Sequence, residues 1–520
     1  MKVALIRPNA TFDEFKIYAE SLALGYLAAY LRNKGIEVDI IDAYLENLSI
    51  ENLVEMILNN HYKIVGVTIY SSAAMAWAKS VANEIKSGDP NIHVTIGGHL
   101  PSFDYEYILT STPIDSIVLF EGEETLLELT QKIIKGDDWK DIFGIAFIQD
   151  GRVIKTSPRH LIFNLDNLPY PSRDYLTFLQ RNYHDEYLVY VSWGRGCYHR
   201  CKFCSIPAFF SSIPGRRVRQ RSVDNMIEEL IMLKNNYQIN YVVFIDDIFV
   251  LPNKNGYKRV YTLLDGIKKL GIRFAMSERV DVLTENLIKR LVDSGLVRIF
   301  LGVEAADDEI LERMNKKITR EQIEKILNTL ADEDIDVEIS FINFLPFNTL
   351  EHIENNIKFF SEWNVDILRS IGNRLEPYPG TEFYNELMLS NNLYRLEYSY
   401  YFKKNFVDER VNILYDYVED LIPYWGIVSI YLQKLKSFLW KEVPIDVRQI
   451  YRQKMLDLQQ AIMQEVKDYF LHIISCIKAE EPLFICMNMK YSKMEHKNLL
   501  QSFLSKIIDL HIRIKEEVRI

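Results

Sequence analysis

The sequence predicts an α/β protein with two domains of alternating strands and helices and a helical C-terminal domain. From residue 1 to about 135, short apolar runs alternate with amphipathic helical stretches. A second series of apolar runs, each followed by polar residues, extends from 186 to about 385. Helical periodicity dominates residues 386–520. Strand–helix alternation of this kind indicates parallel sheets covered by helices.

The first predicted domain, residues 1–135, contains five strands separated by helices. Helices are expected over 25–34 and over about 74–86. Strands are expected over 3–6, 38–42, 64–69, 93–96 and 116–120. This order predicts a doubly wound, Rossmann-like parallel sheet, which binds ligands beyond the carboxyl ends of its strands. Neither G-x-G-x-x-G after the first strand nor a Walker loop is present, so an ordinary nucleotide site is not indicated.

Residues 136–185 are predicted to connect the two strand-containing domains. Residues 144–154 predict a β-hairpin, because the Asp150-Gly151 pair favours the tight turn that joins two antiparallel strands. The stretch 165–171 contains two prolines and predicts a linker.

The second predicted domain, residues 186–385, has strands that end in polar residues. Strands are expected over 241–245, 274–276 and 297–301. The polar residues at or just after their carboxyl ends are Asp246, Asp247, Ser277, Arg279 and Glu304. An α/β barrel carries its chemistry at this end of its strands, so these side chains are candidates for a site.

Three cysteines form the most informative motif of the chain. Cys197, Cys201 and Cys204 have the spacing C-x3-C-x2-C and follow a predicted strand over 187–193. Three thiolates are one fewer than the four that hold an ordinary iron–sulfur cluster, so a cluster bound here keeps one iron open for a small molecule. The alternative is a zinc knuckle with His199 as fourth ligand. A second C-x2-C or H-x3-H pair, which zinc sites usually have, is missing.

The cysteine motif resembles that of the radical S-adenosylmethionine (SAM) enzymes. The similarity includes Phe203 before the third cysteine and Arg195-Gly196 after the strand. The resemblance implies a partial (β/α)6 barrel in which the three cysteines ligate a [4Fe–4S] cluster. SAM would chelate the fourth iron and be cleaved to methionine and a 5′-deoxyadenosyl radical.

The resemblance also implies which residues surround SAM. Ser277, Arg279 and Glu304 would lie around its carboxylate, amine and ribose, with Asp246 or Asp247 beside them. A zwitterionic ligand with a sugar needs a cation, an anion and hydroxyl partners, which this set supplies. The alternative for each charged residue is a salt bridge at the barrel rim.

Three segments of the first domain, 21–31, 96–102 and 121–124, resemble the N-terminal cobalamin-binding domain of one radical SAM subfamily. The candidate cobalamin contacts are Ser71, Gly97, Gly98, His99, Glu121 and Gly122. The motif D-x-H-x-x-G, which supplies an axial histidine in many cobalamin proteins, is absent. We therefore expect cobalamin without a protein imidazole on cobalt, with His99 as the nearest substitute ligand.

A second departure is Phe120, which stands where many of these relatives have glycine. Glycine lets the backbone approach a ligand closely, so this phenylalanine is expected to change the surface against which the cofactor packs. A degenerate domain that no longer binds cobalamin is the alternative.

The two motif sets together predict a cobalamin-dependent radical SAM methylase. Such an enzyme uses one SAM to methylate cobalamin and cleaves a second SAM to make the substrate radical, with a peptide or natural product as substrate. The alternatives are a cyclase or rearrangement enzyme of the same family and a cluster-bearing regulatory or scaffold protein without turnover. A methylthiotransferase is not expected, because relatives of that kind carry further N-terminal cysteines and none precedes Cys197.

Composition limits the cellular setting and the partners. The 520 residues carry 61 basic and 72 acidic side chains, a net charge of −11, which argues against nucleic acid. The basic run 216–221 is expected to form internal ion pairs or a solvated face, with a local anion clamp as the alternative. Five cysteines and no signal sequence predict a cytoplasmic protein. The resemblance to radical SAM enzymes implies an electron donor such as flavodoxin or ferredoxin.

The sequence predicts no membrane-spanning segment and a mainly helical C-terminal domain. No stretch reaches the roughly 20 apolar residues of a membrane span. The longest candidate, 421–432, is too short and contains Pro423 and Gly426. Residues 386–520 are rich in tyrosine and predict helices packed together, with a substrate-covering cap as the alternative.

Overall fold

The computed structural model describes residues 2–10, 17–184, 186–363, 368, 370–403, 405–480 and 492–518. Cys486 lies outside these ranges. The chain forms two compact units. The first unit comprises Met1–Ile239, Ile245–Asp247 and Pro377–Tyr401, and the second comprises Asn240–Phe244, Ile248–Glu376 and Phe402–Ile520. The four domain ranges expected from sequence stay predictions.

A seven-stranded sheet forms the centre of the first unit. Its strand order is β3-β1-β4-β5-β6-β7-β8, parallel from β3 to β6 and antiparallel in β7 and β8. The strands are β1 (Lys2–Arg7), β2 (Tyr18–Ala19, outside this sheet), β3 (Glu37–Asp42), β4 (Ile64–Thr68), β5 (His93–Gly97), β6 (Ser116–Val118), β7 (Ile145–Gln149) and β8 (Arg152–Lys155).

Helices cover both faces of this sheet, as the sequence predicts. They are α1 (Leu22–Arg32), α2 (Ile50–Asn59), α3 (Ser72–Gly88), α4 (His99–Phe103), α5 (Tyr105–Ser111) and α6 (Glu123–Lys135). Leu24 of α1 and Leu129 of α6 belong to one apolar core. Leu53 of α2 and Val81 of α3 belong to the core on the opposite face. The sheet is therefore doubly wound, and the predicted Rossmann-like architecture is confirmed.

The predicted hairpin is present and extends the sheet. Asp150 and Gly151 join β7 to β8 with φ angles of 50° and 74°. Positive φ at both central residues is typical of the tight hairpin turn that Asp-Gly favours. β7 pairs with β6, so this part of the predicted connector packs with the first sheet.

The segment that carries the three cysteines also belongs to the first unit. Its elements are α7 (Leu176–Tyr183), β9 (Tyr187–Leu188), β10 (Tyr190–Val191), β11 (Gly194–Arg195), α8 (Ser205–Ser211), β12 (Arg219–Gln220) and α9 (Val223–Tyr237). β11 and β12 form a two-stranded antiparallel ribbon. The cysteines lie in the loop between β11 and α8.

Four parallel strands, hydrogen-bonded in chain order, form the centre of the second unit. They are β13 (Tyr241–Phe244), β14 (Arg273–Arg279), β15 (Leu296–Glu304) and β16 (Asp336–Phe341). The intervening helices are α10 (Lys254–Leu270), α11 (Glu285–Asp293), α12 (Asp308–Arg313), α13 (Arg320–Ala331) and α14 (Leu350–Glu362). Each strand is followed by at least one helix, which is the β/α alternation that the sequence predicts.

The chain returns to the first unit before its helical end. The returning elements are α15 (Glu382–Leu389), β17 (Leu393–Leu396) and β18 (Ser399–Phe402). The final helices are α16 (Glu409–Val418), α17 (Ile422–Lys441), α18 (Ile445–Lys478) and α19 (Lys493–Val518). The predicted helical C-terminal region is thus confirmed.

Helix α17 is attached to the amino ends of two strands of the second unit. Lys436 forms a buried ion pair of 3.1 Å with Asp336, the first residue of β16. Arg273, the first residue of β14, donates to the carbonyl oxygen of Trp440 at 2.7 Å. These contacts position α17, whereas the role of the C-terminal helices as a substrate cover stays a prediction.

Pro423 does not interrupt α17. It lies in the first turn, where a helix has no need of the backbone N–H that proline lacks, and the helix continues through Gly426. Within the described part of the chain, none of the helices combines the length and the hydropathy needed to span a bilayer.

Candidate functional site

The three cysteines lie close together in sequence on one short loop. Cys201 is buried and Cys197 and Cys204 are partly exposed. The N–H of Cys204 donates to the carbonyl oxygen of Cys201 at 3.2 Å, which tightens the loop just before α8. Burial raises the pKa of the Cys204 thiol to about 12. Coordination by iron removes that proton outright, so three thiols in one protected loop suit a cluster.

Two aspartates hold the backbone that leads into this loop. Asp247 accepts a hydrogen bond from the N–H of Gly196 at 2.7 Å, and Asp246 accepts one from the N–H of Gly194. Burial raises the pKa of both carboxyl groups. The sequence predicts Asp246 and Asp247 as SAM contacts; the structure places both carboxylates against the backbone just before the cysteines, and contact with SAM stays a prediction.

A cavity of about 330 Å³ opens at the carboxyl ends of the strands in the first unit. Its wall is largely apolar and includes Leu5, Leu24, Leu27, Val67, Ile96, Val118, Leu126, Phe209 and Phe210. Of the residues predicted to bind a cofactor, it brings together Gly97, Gly98, His99, Glu121, Gly122 and Asp247. Ser192, Gly194 and Arg195 also line it. One cavity therefore touches both the first sheet and the cysteine segment.

Ser71 is the predicted cobalamin contact that does not line the cavity. Its hydroxyl accepts a hydrogen bond from the N–H of Ala74 at 3.1 Å and caps the amino end of α3. Serine is favoured at this position because it satisfies an N–H that the helix cannot. Its contact with cobalamin stays a prediction.

Two glycines that line the cavity pack closely against neighbouring protein atoms. Gly98 has a φ of 132°, and a Cβ there would lie 2.2 Å from the carbonyl oxygen of Ile69. A Cβ on Gly66 would meet Leu5 at 3.0 Å. Glycine is therefore favoured at these positions because neighbouring protein atoms already occupy the space of a side chain.

His99 begins α4 and packs against the cysteine segment. Its ring stacks on Phe209 with centroids 4.2 Å apart and planes 13° from parallel. Desolvation lowers the pKa of His99 to about 4, so the imidazole is neutral at pH 7. Among the described residues its buried Nδ1 has no hydrogen-bond partner. The expectation that cobalamin binds without this imidazole on cobalt stays a prediction.

Phe120 adopts a backbone conformation that glycine would adopt without strain. Its φ is 63°, in the left-handed region, and its N–H donates to the hydroxyl of Ser102 at 2.8 Å. The ring lies edge-on to Phe103 and Phe209, with centroids 5.8 and 5.2 Å away. The side chain that departs from the glycine of similar proteins therefore forms part of the cavity wall.

Phe209 and Phe210 are cavity residues that sequence reasoning missed. Both lie on α8, directly after the cysteine loop, and both are buried. Two adjacent phenylalanines five residues after Cys204 were the available signal, but an apolar pair predicts burial without saying against what. Phe203, predicted to lie beside the cofactors, is a half-buried residue of the loop itself.

The second unit brings two of the predicted SAM residues together through a third residue. Glu304 forms a buried ion pair with Lys316, 2.9 Å from Nζ to Oε1. Arg279 donates to the carbonyl oxygen of Lys316 at 2.5 Å and to Asp281 at 2.8 Å. Ser277 is exposed on β14. Arg279 and Glu304 are thus already partnered within the rim of the sheet, and their contact with SAM stays a prediction.

Glu304 also has an unusual backbone. Its φ is 78°, and the pairing of β15 with β16 shifts register between Gly302 and Glu304. Left-handed φ outside glycine costs about 1–2 kcal/mol and recurs at functional sites. The strain, the burial and the charge together make this strand end a candidate ligand site.

Glu278 is a further buried acid that the sequence did not single out. It lies between Ser277 and Arg279 and accepts hydrogen bonds from the N–H groups of Val250 and Arg279, both at 2.8 Å. Desolvation outweighs these donors and raises the pKa of Glu278 to about 8. An acid with such a pKa is protonated over much of the neutral range.

The basic run 216–221 is divided between the surface and internal ion pairs. Arg216 is exposed, whereas Arg219 and Arg221 are buried. Arg219 pairs with Glu121 at 2.8 Å, and Arg221 pairs with Glu229. The sequence predicts internal ion pairs or a solvated face, and these two arginines form internal ion pairs.

Comparison with protein families identifies two domains. The sequence model of the radical SAM superfamily matches residues 191–360, and that of the B12 binding domain matches residues 9–130. The first match contains all three cysteines, and the second contains β4, β5 and β6, which contribute residues to the cavity wall.

Among full-length relatives, a protein of Pyrococcus horikoshii described as an uncharacterized methyltransferase is 33% identical over 399 residues. That alignment covers 76% of this chain and 84% of the relative. The anaerobic magnesium-protoporphyrin IX monomethyl ester cyclase of Rubrivivax gelatinosus is 28% identical over 74% of this chain and 70% of its own.

Two solved structures have the same fold. The cobalamin-dependent SAM radical enzyme OxsB with aqua-cobalamin bound superposes with a TM-score of 0.73 at 19% identity, over 99% of this chain and 80% of its own. The radical SAM methyltransferase TsrM from Kitasatospora setae, solved with cobalamin and a [4Fe–4S] cluster, gives 0.62 at 18% identity, over 75% of each chain.

Proposed function

The chain belongs to the radical SAM enzymes that carry an N-terminal B12-binding domain, and we propose that it methylates an unactivated carbon of a peptide or natural product. The cofactors of this family are a [4Fe–4S] cluster, SAM and cobalamin. When they are bound, the cluster supplies the electron that cleaves SAM and cobalamin carries the methyl group. The protein orients these groups and protects them from water and oxygen.

Methylation is favoured over the alternatives by one comparison. The relative described as a methyltransferase is 33% identical and aligns over 84% of its own length. The second candidate function, ring formation without methyl transfer, is supported by the cyclase that is 28% identical. Membership of an enzyme family leaves no reason to retain the scaffold alternative, and it also favours the cluster over zinc at the cysteine loop.

We assign the cluster to Cys197, Cys201 and Cys204. The loop that holds them is fixed by Asp247 through the N–H of Gly196. Trp193 is fully buried just before the loop, and Cys201 is 9% exposed. Restricted access of water and oxygen is what a reduced cluster needs, so the burial of this segment supports the assignment.

We assign cobalamin to the cavity of the first unit. Its largely apolar wall suits the apolar parts of the cofactor, and Gly97 and Gly98 line it at the strand ends. His99 and Phe209 would lie beside the cofactor. We assign the charged groups of SAM to Arg279 and Glu304, with Ser277 exposed and available for a hydroxyl contact.

The electron donor, the compartment and the substrate class are part of the same proposal. Cleavage of SAM needs a reductant, which we propose to be flavodoxin or ferredoxin in the cytoplasm. The substrate is proposed to be a small molecule or peptide rather than nucleic acid, because the chain is acidic overall, with a net charge of −11.

A substrate-free assay tests methyl transfer. Anaerobic protein with cluster, hydroxocobalamin and a strong chemical reductant is incubated with SAM that carries a CD3 group. A methylase is expected to move the CD3 group to cobalamin and to release S-adenosylhomocysteine in matching amount, both quantified by mass spectrometry. Release of 5′-deoxyadenosine alone, with unlabelled cobalamin, would favour the cyclase.

The cysteines supply the control for this assay. The variant with Cys197, Cys201 and Cys204 all changed to Ala should lose 5′-deoxyadenosine production, because no cluster donates the electron. If this variant still cleaves SAM at the wild-type rate, the assigned cluster site is wrong, whatever the fate of the CD3 group.

A further inference from the structure

Two arginines face each other in the ribbon beside the cysteine loop. Arg195 of β11 pairs with Arg219 of β12 in antiparallel register. Side chains of directly opposed residues leave a ribbon on the same face, and like charges placed this way destabilise it. A stable ribbon therefore requires negative charge between the two guanidinium groups.

That charge comes from the loop that precedes α6. Glu121 accepts two hydrogen bonds from Arg219, both at 2.8 Å, and one from Arg195 at 3.1 Å. Glu123 accepts one from Arg195 at 2.6 Å. Hydrogen bonds from Arg219 and the positive charge of both arginines overcome desolvation and lower the pKa of Glu121. Two cations and two anions thus form one neutral, largely buried network.

The network joins the cavity assigned to cobalamin to the segment that carries the cysteines. Glu121 and Glu123 belong to the cavity wall of the B12-binding domain, whereas Arg195 lies two residues before Cys197. The backbone around Arg195 has little freedom to adjust. A Cβ on Gly196 would lie 2.0 Å from the carbonyl oxygen of Arg217. The guanidinium of Arg195 is thus the direct link between the carboxylates of the cavity wall and the backbone that leads to Cys197.

We infer that Arg195 is a positioning residue that couples the binding of cobalamin to the binding of the cluster. Cobalamin in the cavity would hold the side chains of Glu121 and Glu123 in place. Their hydrogen bonds would then hold Arg195, and with it the cysteine loop, in the conformation that binds the cluster. Linkage requires the cluster to strengthen cobalamin binding by the same factor. The coupling goes beyond the proposed methylation, because it holds equally for a cyclase.

Equilibrium dialysis of hydroxocobalamin against the full-length protein, with and without reconstituted cluster, measures this factor. Cobalt analysis is used because the cluster absorbs visible light. Wild type is expected to bind hydroxocobalamin at least about five-fold more tightly when the cluster is present, the lower end of typical coupling between sites. Arg195→Ala should reduce the ratio to near one. Arg195→Lys should give an intermediate ratio, because an ammonium group cannot form the fork that reaches both carboxylates.

Arg159→Ala is the matched control. Arg159 pairs with Glu128 and donates to Thr125, two residues of α6, the helix that also contains Glu123. Neither contact involves the cysteine loop. This variant should keep the wild-type ratio. If circular dichroism shows Arg195→Ala to be unfolded, Glu123→Gln, which keeps the side-chain shape, carries the test. A wild-type ratio of one, or an unchanged ratio in Arg195→Ala or in a folded Glu123→Gln, overturns the inference.

Discussion

Lys316 donates a hydrogen bond to Glu304 across the bare backbone of Gly302. The Nζ to Oε1 distance is 2.9 Å, and a Cβ on Gly302 would lie 2.7 Å from the same Nζ. The carbonyl oxygen of Lys316 accepts a hydrogen bond from Arg279. Lys316 therefore holds the two charged residues proposed for SAM in one cluster at the rim of the second unit.

Changes to this cluster should weaken SAM binding without loss of iron. A charge-assisted hydrogen bond contributes about 1.5–3 kcal/mol, which is roughly ten- to a hundred-fold in affinity. We expect a loss in this range for Arg279→Ala and Glu304→Ala, and a smaller loss for Lys316→Met, which leaves its carbonyl oxygen in place. Isothermal titration with SAM and iron analysis measure both effects.

The control for these variants is Lys289→Ala, which breaks an exposed ion pair with Glu285 in the same unit. Exposed pairs of this kind contribute little to stability, and SAM affinity should not change. SAM affinity within two-fold of wild type in both Arg279→Ala and Glu304→Ala would mean that these residues form only a salt-bridged rim.

The cysteine assignment has a simple analytical test. Reconstituted wild type should contain close to four irons per chain, as expected for one [4Fe–4S] cluster. Conversion of Cys197, Cys201 and Cys204 to Ala should abolish the cluster, whereas changing Cys476 and Cys486 should leave iron content and the visible spectrum unchanged. A full cluster in the triple variant, or stoichiometric zinc in wild type, contradicts the assignment.

Cobalamin should bind without a histidine ligand from the protein. His99 is the nearest imidazole to the assigned site, and its ring already stacks on Phe209. The cob(II)alamin EPR spectrum should therefore show no superhyperfine splitting from a protein nitrogen, and His99→Ala should leave the spectrum largely unchanged. Splitting that disappears in His99→Ala would identify His99 as the axial ligand.

Glu278 should make stability fall as the pH rises. Desolvation raises its pKa from 4.5 to about 8 in the folded state, so between these values the folded chain binds a proton that the unfolded chain has lost. Stability then decreases with pH across this window. Glu278→Gln should flatten the decrease, measured by thermal midpoints between pH 5 and 8. Parallel curves for variant and wild type would show that Glu278 ionises normally.

The sequence predicts the architecture well because local patterns determine it. Apolar runs and glycines mark β4 and β5, and Asp150-Gly151 alone predicts the hairpin turn. The cavity contacts of Gly97, Gly98 and Glu121 also follow from resemblance, because motifs at strand ends meet at one edge of a parallel sheet.

Side-chain partners across long sequence distances could not be predicted in this way. Nothing in the local sequence shows that Arg195 meets Glu121, 74 residues earlier in the chain, or that Lys316 lies over Gly302. The hydrogen bond from the N–H of Gly196 to Asp247 likewise depends on how the loop after β13 packs against the segment before the cysteines. The cap that Ser71 forms on α3 could have been predicted from the local sequence, because serine is favoured at that position.

The stoichiometry of the two SAM-derived products tests the account most directly. Candidate peptides and natural products are screened under anaerobic conditions with cobalamin and reductant, and each methylated product is quantified together with S-adenosylhomocysteine and 5′-deoxyadenosine. A methylase that uses SAM twice is expected to release one of each per methylated product. A product formed with 5′-deoxyadenosine but without matching S-adenosylhomocysteine would contradict methylation and identify the protein as a cyclase or rearrangement enzyme.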